Sequence, residues 1–383
     1  MSVMNTEKKK LHIIFAGGGT GGHLFPAIAI YESISKKSTQ KDFELKTLFI
    51  GSKSGVERSV LPELNLPTTY IPIRGFQRHF NIKNLLKNLI LPLRILSSYF
   101  KCLFIFLKFK PDIVIGTGSY VSAIPLMVAR HLKIPFFLQE QNVIPGWVTK
   151  YFSESAVTVF TSFQETSRYI KNTTYTGIPL RESLREIEKD EAANFFELDK
   201  DRKTIFIFGG SQGSIAINRY WETNILSYID TLNCQFIWQT GIKDYFRLKE
   251  KFNGNNKIHL TPFIHEIEYA YSAADIVICR AGALTLAELS FFGKPSILIP
   301  LPIAAENHQE VNARLFEKIN AARIVLQSEL AGSKLFETIS KIINDDNLLV
   351  EMGNNARKLY ISSASNKIAE SIIKYVEKNV WED

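Results

Sequence analysis

One pattern constrains the fold more than any other: an apolar strand that ends in a glycine cluster, present twice. LHIIFAGGGTGG begins at Leu11, and TIFIFGGSQG begins at Thr204, just past the middle of the 383-residue chain. Short apolar segments alternate with helical stretches throughout both halves, which is typical of parallel β-sheets covered by helices. The sequence therefore predicts an α/β protein with two doubly wound parallel-sheet domains, each opening on a glycine loop.

Six strands are predicted in each half. They are His12–Ala16, Lys46–Ile50, Thr69–Ile73, Asp112–Ile115, Pro135–Leu138, Val157–Phe160, and then Thr204–Phe208, Gln235–Gln239, Lys257–Leu260, Asp275–Cys279, Pro295–Ile299, Ala322–Val325. We place the domains at residues 1–177 and 178–355, and we expect the last helix, about 356–383, to pack back on the first. Ligands of such sheets bind at the carboxyl ends of the strands, so we expect a site in a cleft between the domains.

The net charge of +8, from 46 Lys and Arg against 38 Asp and Glu, is concentrated in one segment. The segment between Glu63 and Asp112 has no acidic residue, and its basic residues are Arg74, Arg78, Lys83, Lys87, Arg94, Lys101, Lys108 and Lys110. Charges interrupt its most apolar stretch, 88–107, which disfavours a membrane span.

Four of these residues, Lys87, Arg94, Lys101 and Lys108, recur every seventh position and so share one stripe of a helix. Pro92 should kink or divide that helix. We expect a basic amphipathic helix that lies on an anionic membrane surface. The alternative is a helix packed on the core, with its lysines in solvent.

The remaining composition is ordinary for a globular protein, with 45% hydrophobic and 22% charged residues. Cys102, Cys234 and Cys279 are widely spaced, which suggests neither a disulfide framework nor a zinc site. The first residues run into a strand without a signal-peptide core, so we expect a reduced, cytosolic protein.

The first glycine loop, Gly17, Gly19 and Gly22, matches the dinucleotide pattern GxGxxG. The acidic residue that would hold a ribose is missing from FIGSKSG at the end of the second strand, so a nicotinamide cofactor is not expected. Backbone N–H groups at a helix N-terminus suit a phosphate, and tight strand–helix packing is the alternative. His23 follows directly, as a candidate general base or as a structural histidine.

In the second half, RAGALTLAE begins at Arg280, directly after a predicted strand. Its loop amides could bind a diphosphate, and Glu288 could accept both hydroxyls of a ribose. Thr285 and Glu288 also fit a capping box, which is the structural alternative. The polar run at 304–309 suits sugar hydroxyls or a solvated loop. The DxD at Asp199–Asp201 precedes its strand, so we expect a surface turn and no metal site.

Seven motifs in order resemble those of the MurG family: GGGTGGHLFPA, GTGSYVSAIP, EQNVIPG, TGIPLR, GGSQGSIAIN, CRAGALTLAE and AENHQEVNA. The resemblance extends from about His12 to Arg323 and implies the GT-B fold, with two Rossmann-like domains facing across a cleft. It also implies an inverting transferase that moves GlcNAc from UDP-GlcNAc to the MurNAc 4-hydroxyl of undecaprenyl-pyrophosphoryl-MurNAc-pentapeptide (lipid I), giving lipid II for peptidoglycan. Ser119 and Gln139 depart from the family pattern, which commonly has Gly and His there.

The resemblance implies His23 as the catalytic base, with no cofactor and no metal. It implies UDP-GlcNAc contacts at Thr20, Gly21, Gly22, Asn142, Arg181, Ser211, Ile264, Ala283, Leu284, Thr285, Leu286, Ala287, Glu288 and Gln309. Further contacts with the acceptor or a sugar would come from Gly118, Tyr120 and His308. The membrane-surface residues would be Arg78, Lys83, Lys87, Arg94 and Lys101. The first domain would bind acceptor and membrane, and the second would bind the donor.

The implied partners are UDP-GlcNAc, lipid I, an anionic membrane surface and other cell-wall synthesis and division proteins, but no nucleic acid. The implied location is the cytoplasmic face of the plasma (inner) membrane, as a peripheral protein. The rival enzymes are a UDP-GlcNAc 2-epimerase, a transferase with a soluble acceptor and a nicotinamide oxidoreductase. A basic nucleic-acid-binding protein is the non-catalytic rival, although the basic segment nearly lacks polar side chains that read bases.

Overall fold

The computed structural model describes residues 8–75 and 89–382. The chain divides into two compact units, the first being Met1–Glu182 with Ile361–Asp383 and the second Ser183–Tyr360.

The described part of the first unit contains a seven-stranded sheet in which all neighbouring strands are parallel, in the order β3-β2-β1-β4-β5-β6-β7. Its strands are β1 Lys10–Ala16, β2 Glu44–Ser52, β3 Thr68–Ile71, β4 Ile113–Gly116, β5 Phe136–Glu140, β6 Val159–Thr161 and β7 Thr173–Tyr175. Its helices include α1 Gly21–Gln40, α2 Glu57–Glu63, α3 Leu91–Phe109, α4 Ser119–His131 and α5 Trp147–Phe152. The central strands are buried on both faces, which explains their unbroken apolar sequences.

The second unit contains a six-stranded parallel sheet in the order β10-β9-β8-β11-β12-β13. Its strands are β8 Lys203–Phe208, β9 Cys234–Gln239, β10 Ile258–Thr261, β11 Ile276–Cys279, β12 Ser296–Leu298 and β13 Ala322–Ile324. Its helices include α6 Lys189–Phe195, α7 Ile215–Leu232, α8 Ile242–Lys251, α9 Ile267–Ala273, α10 Ala283–Phe292, α11 His308–Lys318, α12 Lys334–Ile343 and α13 Asp346–Arg357.

The last helix, α14 Ala364–Asn379, belongs to the first unit and packs beside α1. Its apolar side joins the core formed by β1, α1 and α2, and Lys37 of α1 pairs with Glu370 at 2.8 Å. The other face of the same sheet is covered by α3, α4 and α5. Two layers of helices therefore enclose the first sheet.

Each of the twelve predicted strands overlaps an observed one. The additional strand, β7, has three residues, all at least partly exposed at the sheet edge. It lacks the apolar sequence that identified the other strands, because an edge strand need not be buried on both faces.

Helix α3 presents an apolar stripe to solvent, formed by Leu93, Leu96, Phe100, Phe104 and Leu107. At 3.6 residues per turn these five fall within about 80° of one another, and Phe104 is 69% exposed. Ser98, Cys102 and Phe106 face the core. Pro92 lies in the first turn, where its missing N–H costs no helical hydrogen bond.

The basic residues of α3 flank the apolar stripe, so the outermost side of the helix is apolar rather than basic. Lys101 reaches back over β3, and its Nζ donates to the Tyr70 carbonyl at 2.6 Å. Arg94 is half-buried and Lys108 is exposed. The predicted membrane residues Arg78, Lys83 and Lys87 lie outside the described residues. None of the described helices has the length and hydropathy to cross a bilayer.

Candidate active site

Most of the predicted residues of the first unit lie at the carboxyl edge of its sheet. The chain leaves β1 at Ala16, turns through the glycine loop and enters α1 at Gly21, with Thr20 as its exposed N-cap. Gly21 and Gly22 supply backbone N–H groups at this N-terminus, where an α-helix has no internal partners for them. Gly19 has a φ of 80°, a left-handed conformation that favours glycine.

His23 in the first turn of α1 is held by the loop that follows β4. Its Nδ1 lies 2.9 Å from the Thr117 carbonyl oxygen, and the Thr117 hydroxyl donates to the His23 carbonyl at 2.7 Å. Because a carbonyl oxygen can only accept, Nδ1 carries the proton and Nε2 carries the lone pair. This tautomer is the one that a general base needs.

Two buried glutamines extend this arrangement. The Gln141 amide donates to the same Thr117 carbonyl at 2.8 Å and to the Gln139 side-chain oxygen. Gln139 in turn donates to Ser162 Oγ at 3.0 Å. Gln139, one of the two departures from the motif pattern, is fully buried, and its side chain connects Gln141 to Ser162.

Asn142 is oriented by its neighbour Glu140, which is 2% exposed. One carboxylate oxygen of Glu140 accepts from the backbone N–H and the side-chain amide of Asn142, at 3.0 and 3.2 Å. The other accepts from the Gly146 N–H at 3.0 Å. Glu140 therefore fixes the loop that carries Asn142.

Gly118 and Tyr120 lie close to His23 and the glycine loop. Gly118 is the N-cap of α4 with a φ of 89°, and a Cβ there would come within 3.0 Å of His23 Nδ1. Ser119, the second of the two departures from the motif pattern, also has a positive φ, 62°. The Tyr120 ring lies 3.3 Å from where a Cβ of Gly19 would stand. The structure therefore brings His23, Gly118 and Tyr120 together.

In the second unit, the N-terminus of α10 follows β11 with Gly282 as its N-cap. Ala283, Leu284 and Thr285 form the first turn, whose N–H groups have no intrahelical acceptors and suit an anion. The capping-box alternative for Thr285 and Glu288 is wrong, because Thr285 lies inside the helix and no side chain caps it.

Leu286 and Ala287 differ from the first-turn residues. Leu286 is fully buried, and its N–H already donates to the Gly282 carbonyl at 3.0 Å. Ala287 is half-buried in the next part of the helix. Leu286 therefore contributes to the core beneath the α10 N-terminus.

Glu288, one turn further along α10, accepts a hydrogen bond of 2.9 Å from the Tyr271 hydroxyl. Tyr271 is fully buried, and burial, followed by the charge of Glu288, raises the pKa of Tyr271 well above its usual value. The tyrosine therefore remains a hydrogen-bond donor and holds the Glu288 carboxylate in place.

Ser211 and Ile264 are connected through Gln239 at the end of β9. The Gln239 amide donates to the Gly210 carbonyl at 3.1 Å, and its side-chain oxygen accepts from the Ile264 N–H at 2.9 Å. Ser211 is exposed in the same glycine loop as Gly210. Because the Ile264 N–H is already donated to Gln239, a contact between the Ile264 backbone and the uracil base of UDP-GlcNAc would use the Ile264 carbonyl oxygen.

The three remaining predicted residues are Gln309, His308 and Arg181. Gln309 accepts from the Leu301 N–H at 3.0 Å, which ties the start of α11 to the segment after β12, and His308 is the first residue of α11. Arg181 belongs to the first unit, where its guanidinium lies 5.1 Å from the centre of the Phe25 ring.

Arg280 was not among the predicted site residues. It is buried at the end of β11 and donates to the Ile299 and Pro300 carbonyls at 3.0 and 3.1 Å, to Ser214 Oγ at 2.7 Å and to Gln327 Oε1 at 2.6 Å. Burial lowers the pKa of Arg280 to about 10. Arg280 thus connects the segments after β12 and β13 to the start of α7. The sequence signal for this role was an arginine that directly follows an apolar strand.

The described residues contain no group of three or more His, Cys, Asp or Glu side chains placed to bind a metal ion. Asp199 and Asp201 lie on an exposed turn, as predicted.

Comparison with known proteins assigns the chain to one class of enzyme. The N-terminal domain model of glycosyltransferase family 28 matches residues 13–161, and the C-terminal domain model matches residues 204–372. The crystal structure of MurG from Acinetobacter baumannii superposes with a TM-score of 0.70 at 27% identity, over 95% of this chain and 99% of that one. These matches define a two-domain glycosyltransferase of the GT-B type.

Curated relatives narrow the class further. Two UDP-N-acetylglucosamine–N-acetylmuramyl-(pentapeptide) pyrophosphoryl-undecaprenol N-acetylglucosamine transferases are similar over nearly their whole length. The Finegoldia magna protein is 36% identical over 377 residues, covering 96% of this chain and 99% of the relative. The Thermodesulfovibrio yellowstonii protein is 38% identical over 379 residues, covering 95% and 99%. The chain belongs to this family, the MurG transferases, rather than to any of the rival classes.

Proposed function

We propose that the chain transfers GlcNAc from UDP-GlcNAc to the MurNAc 4-hydroxyl of lipid I, with inversion at the anomeric carbon, to give lipid II for peptidoglycan synthesis. The observation that carries this proposal is the 2.9 Å distance between His23 Nδ1 and the Thr117 carbonyl oxygen. Because that oxygen can only accept a hydrogen bond, Nδ1 carries the proton and Nε2 is the ring nitrogen able to take one.

The first unit would bind the acceptor, and His23 would act on it. Inversion in one step requires in-line attack by the acceptor hydroxyl, whose proton leaves as the new bond forms. His23 Nε2 takes that proton, while the Thr117 carbonyl holds the imidazole and stabilises its protonated form. Gly118 lies against His23 and Tyr120 against the glycine loop, and these residues would orient the sugar together with Asn142.

The second unit would bind UDP-GlcNAc. The N–H groups of Ala283, Leu284 and Thr285 at the α10 N-terminus stabilise the negative charge that develops on departing UDP. Glu288, held by Tyr271, would accept the ribose hydroxyls. Ser211 and Arg181 are candidates for diphosphate contacts, and Gln309 and His308 for contacts with GlcNAc.

The proposal is tested by mixing the purified protein with UDP-GlcNAc and measuring release of UDP. We expect release only when a lipid I analogue is present. Release with a soluble, non-muramyl acceptor alone, or no release with any acceptor, would contradict the proposal.

We also propose that the first unit binds the cytoplasmic face of the plasma membrane through α3, as a peripheral contact. The apolar stripe would enter the interface, and the flanking Arg94 and Lys108 would meet anionic headgroups. Near an anionic leaflet each basic side chain contributes about 1 kcal/mol. The same surface would bring the enzyme to its lipid-linked acceptor and to other proteins of cell-wall synthesis and division.

Vesicle binding tests this contact. Replacing Arg94 and Lys108 together by Gln should weaken binding to phosphatidylglycerol vesicles by about 2 kcal/mol, or about 30-fold in Kd. Turnover of a soluble lipid I analogue should not change. Lys374→Gln is the matched control, since Lys374 is exposed on α14 at the other face of the sheet. Equal loss in the control, or no loss in the double variant, would contradict docking through α3.

A further inference from the structure

Glu57, in the first turn of α2, is a carboxylate enclosed by the first unit. It is 0% exposed, and none of the ion pairs among residues 8–75 and 89–382 includes it. Its charge is met by three hydrogen-bond donors: the Gly19 N–H at 2.7 Å, the Ser52 N–H at 2.7 Å and the Ser52 hydroxyl at 2.8 Å. A buried charge is costly unless it is hydrogen-bonded in this way.

Three glycines in the surrounding backbone leave the space that this carboxylate occupies. A Cβ on Gly55 would come within 2.0 Å of Glu57 Oε2, a Cβ on Gly51 within 2.5 Å of Cγ, and a Cβ on Gly18 within 2.7 Å of Cδ. These glycines come from the loop after β1, the end of β2 and the turn before α2. Three segments therefore close around one side chain.

Glu57 connects residues that the proposed reaction uses. Gly19 is followed by Thr20, the N-cap of α1, and His23 lies in the first turn of that helix. Ser52 Oγ lies 3.4 Å from the Tyr120 hydroxyl, and the Tyr120 ring packs over Gly19. A shift of the carboxylate would therefore move both the start of α1 and the Tyr120 side chain.

We propose that Glu57 is a positioning residue for the acceptor side of the site. It fixes the glycine loop, and through it His23 and Tyr120, without touching substrate. The inference rests on the proposed function, because it assigns a geometric role in that reaction. It also means that the Gly19 N–H is already donated to a carboxylate, so a phosphate on this loop would have to use other N–H groups.

Glu57→Gln tests the proposal, because it keeps the shape of the side chain but puts an NH2 group in place of one accepting oxygen. At least one of the three hydrogen bonds must then be lost. We expect kcat/KM for a lipid I analogue to fall about 10- to 100-fold, since small misplacements of reacting groups have effects of this size. The Kd for UDP-GlcNAc, measured calorimetrically without acceptor, should stay within about twofold because most of the proposed donor contacts lie in the second unit. Glu63→Gln, an exposed position on the same helix, is the matched control and should be unchanged.

If Glu57 had only a structural role, Glu57→Gln would give a different result. Turnover and the stoichiometry of UDP-GlcNAc binding would both fall in proportion to the folded fraction of the variant, while KM for the acceptor would stay at its wild-type value. That outcome would overturn the proposal, as would wild-type kcat/KM in Glu57→Gln.

Ser52→Ala keeps the test decisive if Glu57→Gln does not fold. It removes the hydroxyl that donates to the carboxylate but keeps the Ser52 N–H and Gly19 N–H donors, so acceptor kcat/KM should fall about fivefold. Wild-type kcat/KM in this variant would overturn the proposal. Wild-type protein in the same assay separates the two claims, because its failure to transfer GlcNAc would refute the proposed function itself.

Discussion

Arg280→Ala should destabilise the second unit and weaken nucleotide binding. The guanidinium makes four hydrogen bonds, to Ile299, Pro300, Ser214 and Gln327. At about 1.5 kcal/mol for each bond from a charged donor, their loss costs about 6 kcal/mol. Burial lowers the pKa of Arg280 to about 10, so the cost of holding this charge inside the protein offsets part of that gain. The free energy of unfolding should therefore fall by about 3 to 5 kcal/mol, as is usual when one partner of a buried charged network is removed.

The nucleotide effect follows from Ser214, the N-cap of α7. Without Arg280 the glycine loop before α7 loses its connection to the segments after β12 and β13, and we expect the Kd for UDP to rise about tenfold. Urea denaturation and calorimetric titration with UDP measure the two effects. Arg219→Ala, an exposed arginine on α7, is the control and should stay within about 0.5 kcal/mol. An unchanged urea midpoint in Arg280→Ala would refute the reasoning.

Four further predictions concern His23, Glu288 and the buried cysteines. His23→Ala should lower kcat by about 10²- to 10⁴-fold with little change in KM for UDP-GlcNAc; steady-state kinetics with near-normal kcat would remove His23 as the base. Glu288→Ala should weaken UDP-GlcNAc binding by about 10-fold or more, because a charge-assisted hydrogen bond is lost; unchanged affinity in a calorimetric titration would exclude a ribose contact. The three cysteines, Cys102, Cys234 and Cys279, are buried, and burial raises the pKa of Cys234 to about 12. We therefore expect no reaction with a thiol reagent at pH 8 before unfolding. The pKa of the Cys234 thiol is higher in the folded than in the unfolded protein, so the stability that comes from keeping this thiol protonated is fully present below about pH 8 and is lost as the pH rises above 9. In urea denaturation, the free energy of unfolding of Cys234→Ala should therefore fall less between pH 8 and pH 10 than that of the wild type. An equal fall in both proteins would contradict this prediction.

The strands and the glycine loops could be predicted from the sequence because their signals are local. Buried parallel strands are unbroken apolar runs, and Gly, Thr and His follow them at the carboxyl edge of the sheet. The short edge strand β7 lacks that signal. The capping-box reading of Thr285 failed because a four-residue pattern does not specify where a helix begins.

The positions of charged side chains were harder to predict, because their partners are distant in sequence. Glu57 reads as an ordinary helical glutamate, yet it binds Gly19, 38 residues earlier. Arg280 binds Gln327, 47 residues later. In α3 the seven-residue spacing correctly placed Arg94, Lys101 and Lys108 on one stripe, but it did not reveal that the adjacent stripe, which faces outward, is apolar.

Transfer of labelled GlcNAc tests the central claim most directly. The protein is incubated with UDP-GlcNAc labelled in the sugar and with a lipid I analogue, and the lipid product is extracted and examined by NMR. The account predicts label in a lipid-linked disaccharide with a β linkage to the MurNAc 4-hydroxyl, and almost none with His23→Ala. Label that remains in the nucleotide sugar, or that appears as its 2-epimer, would contradict it.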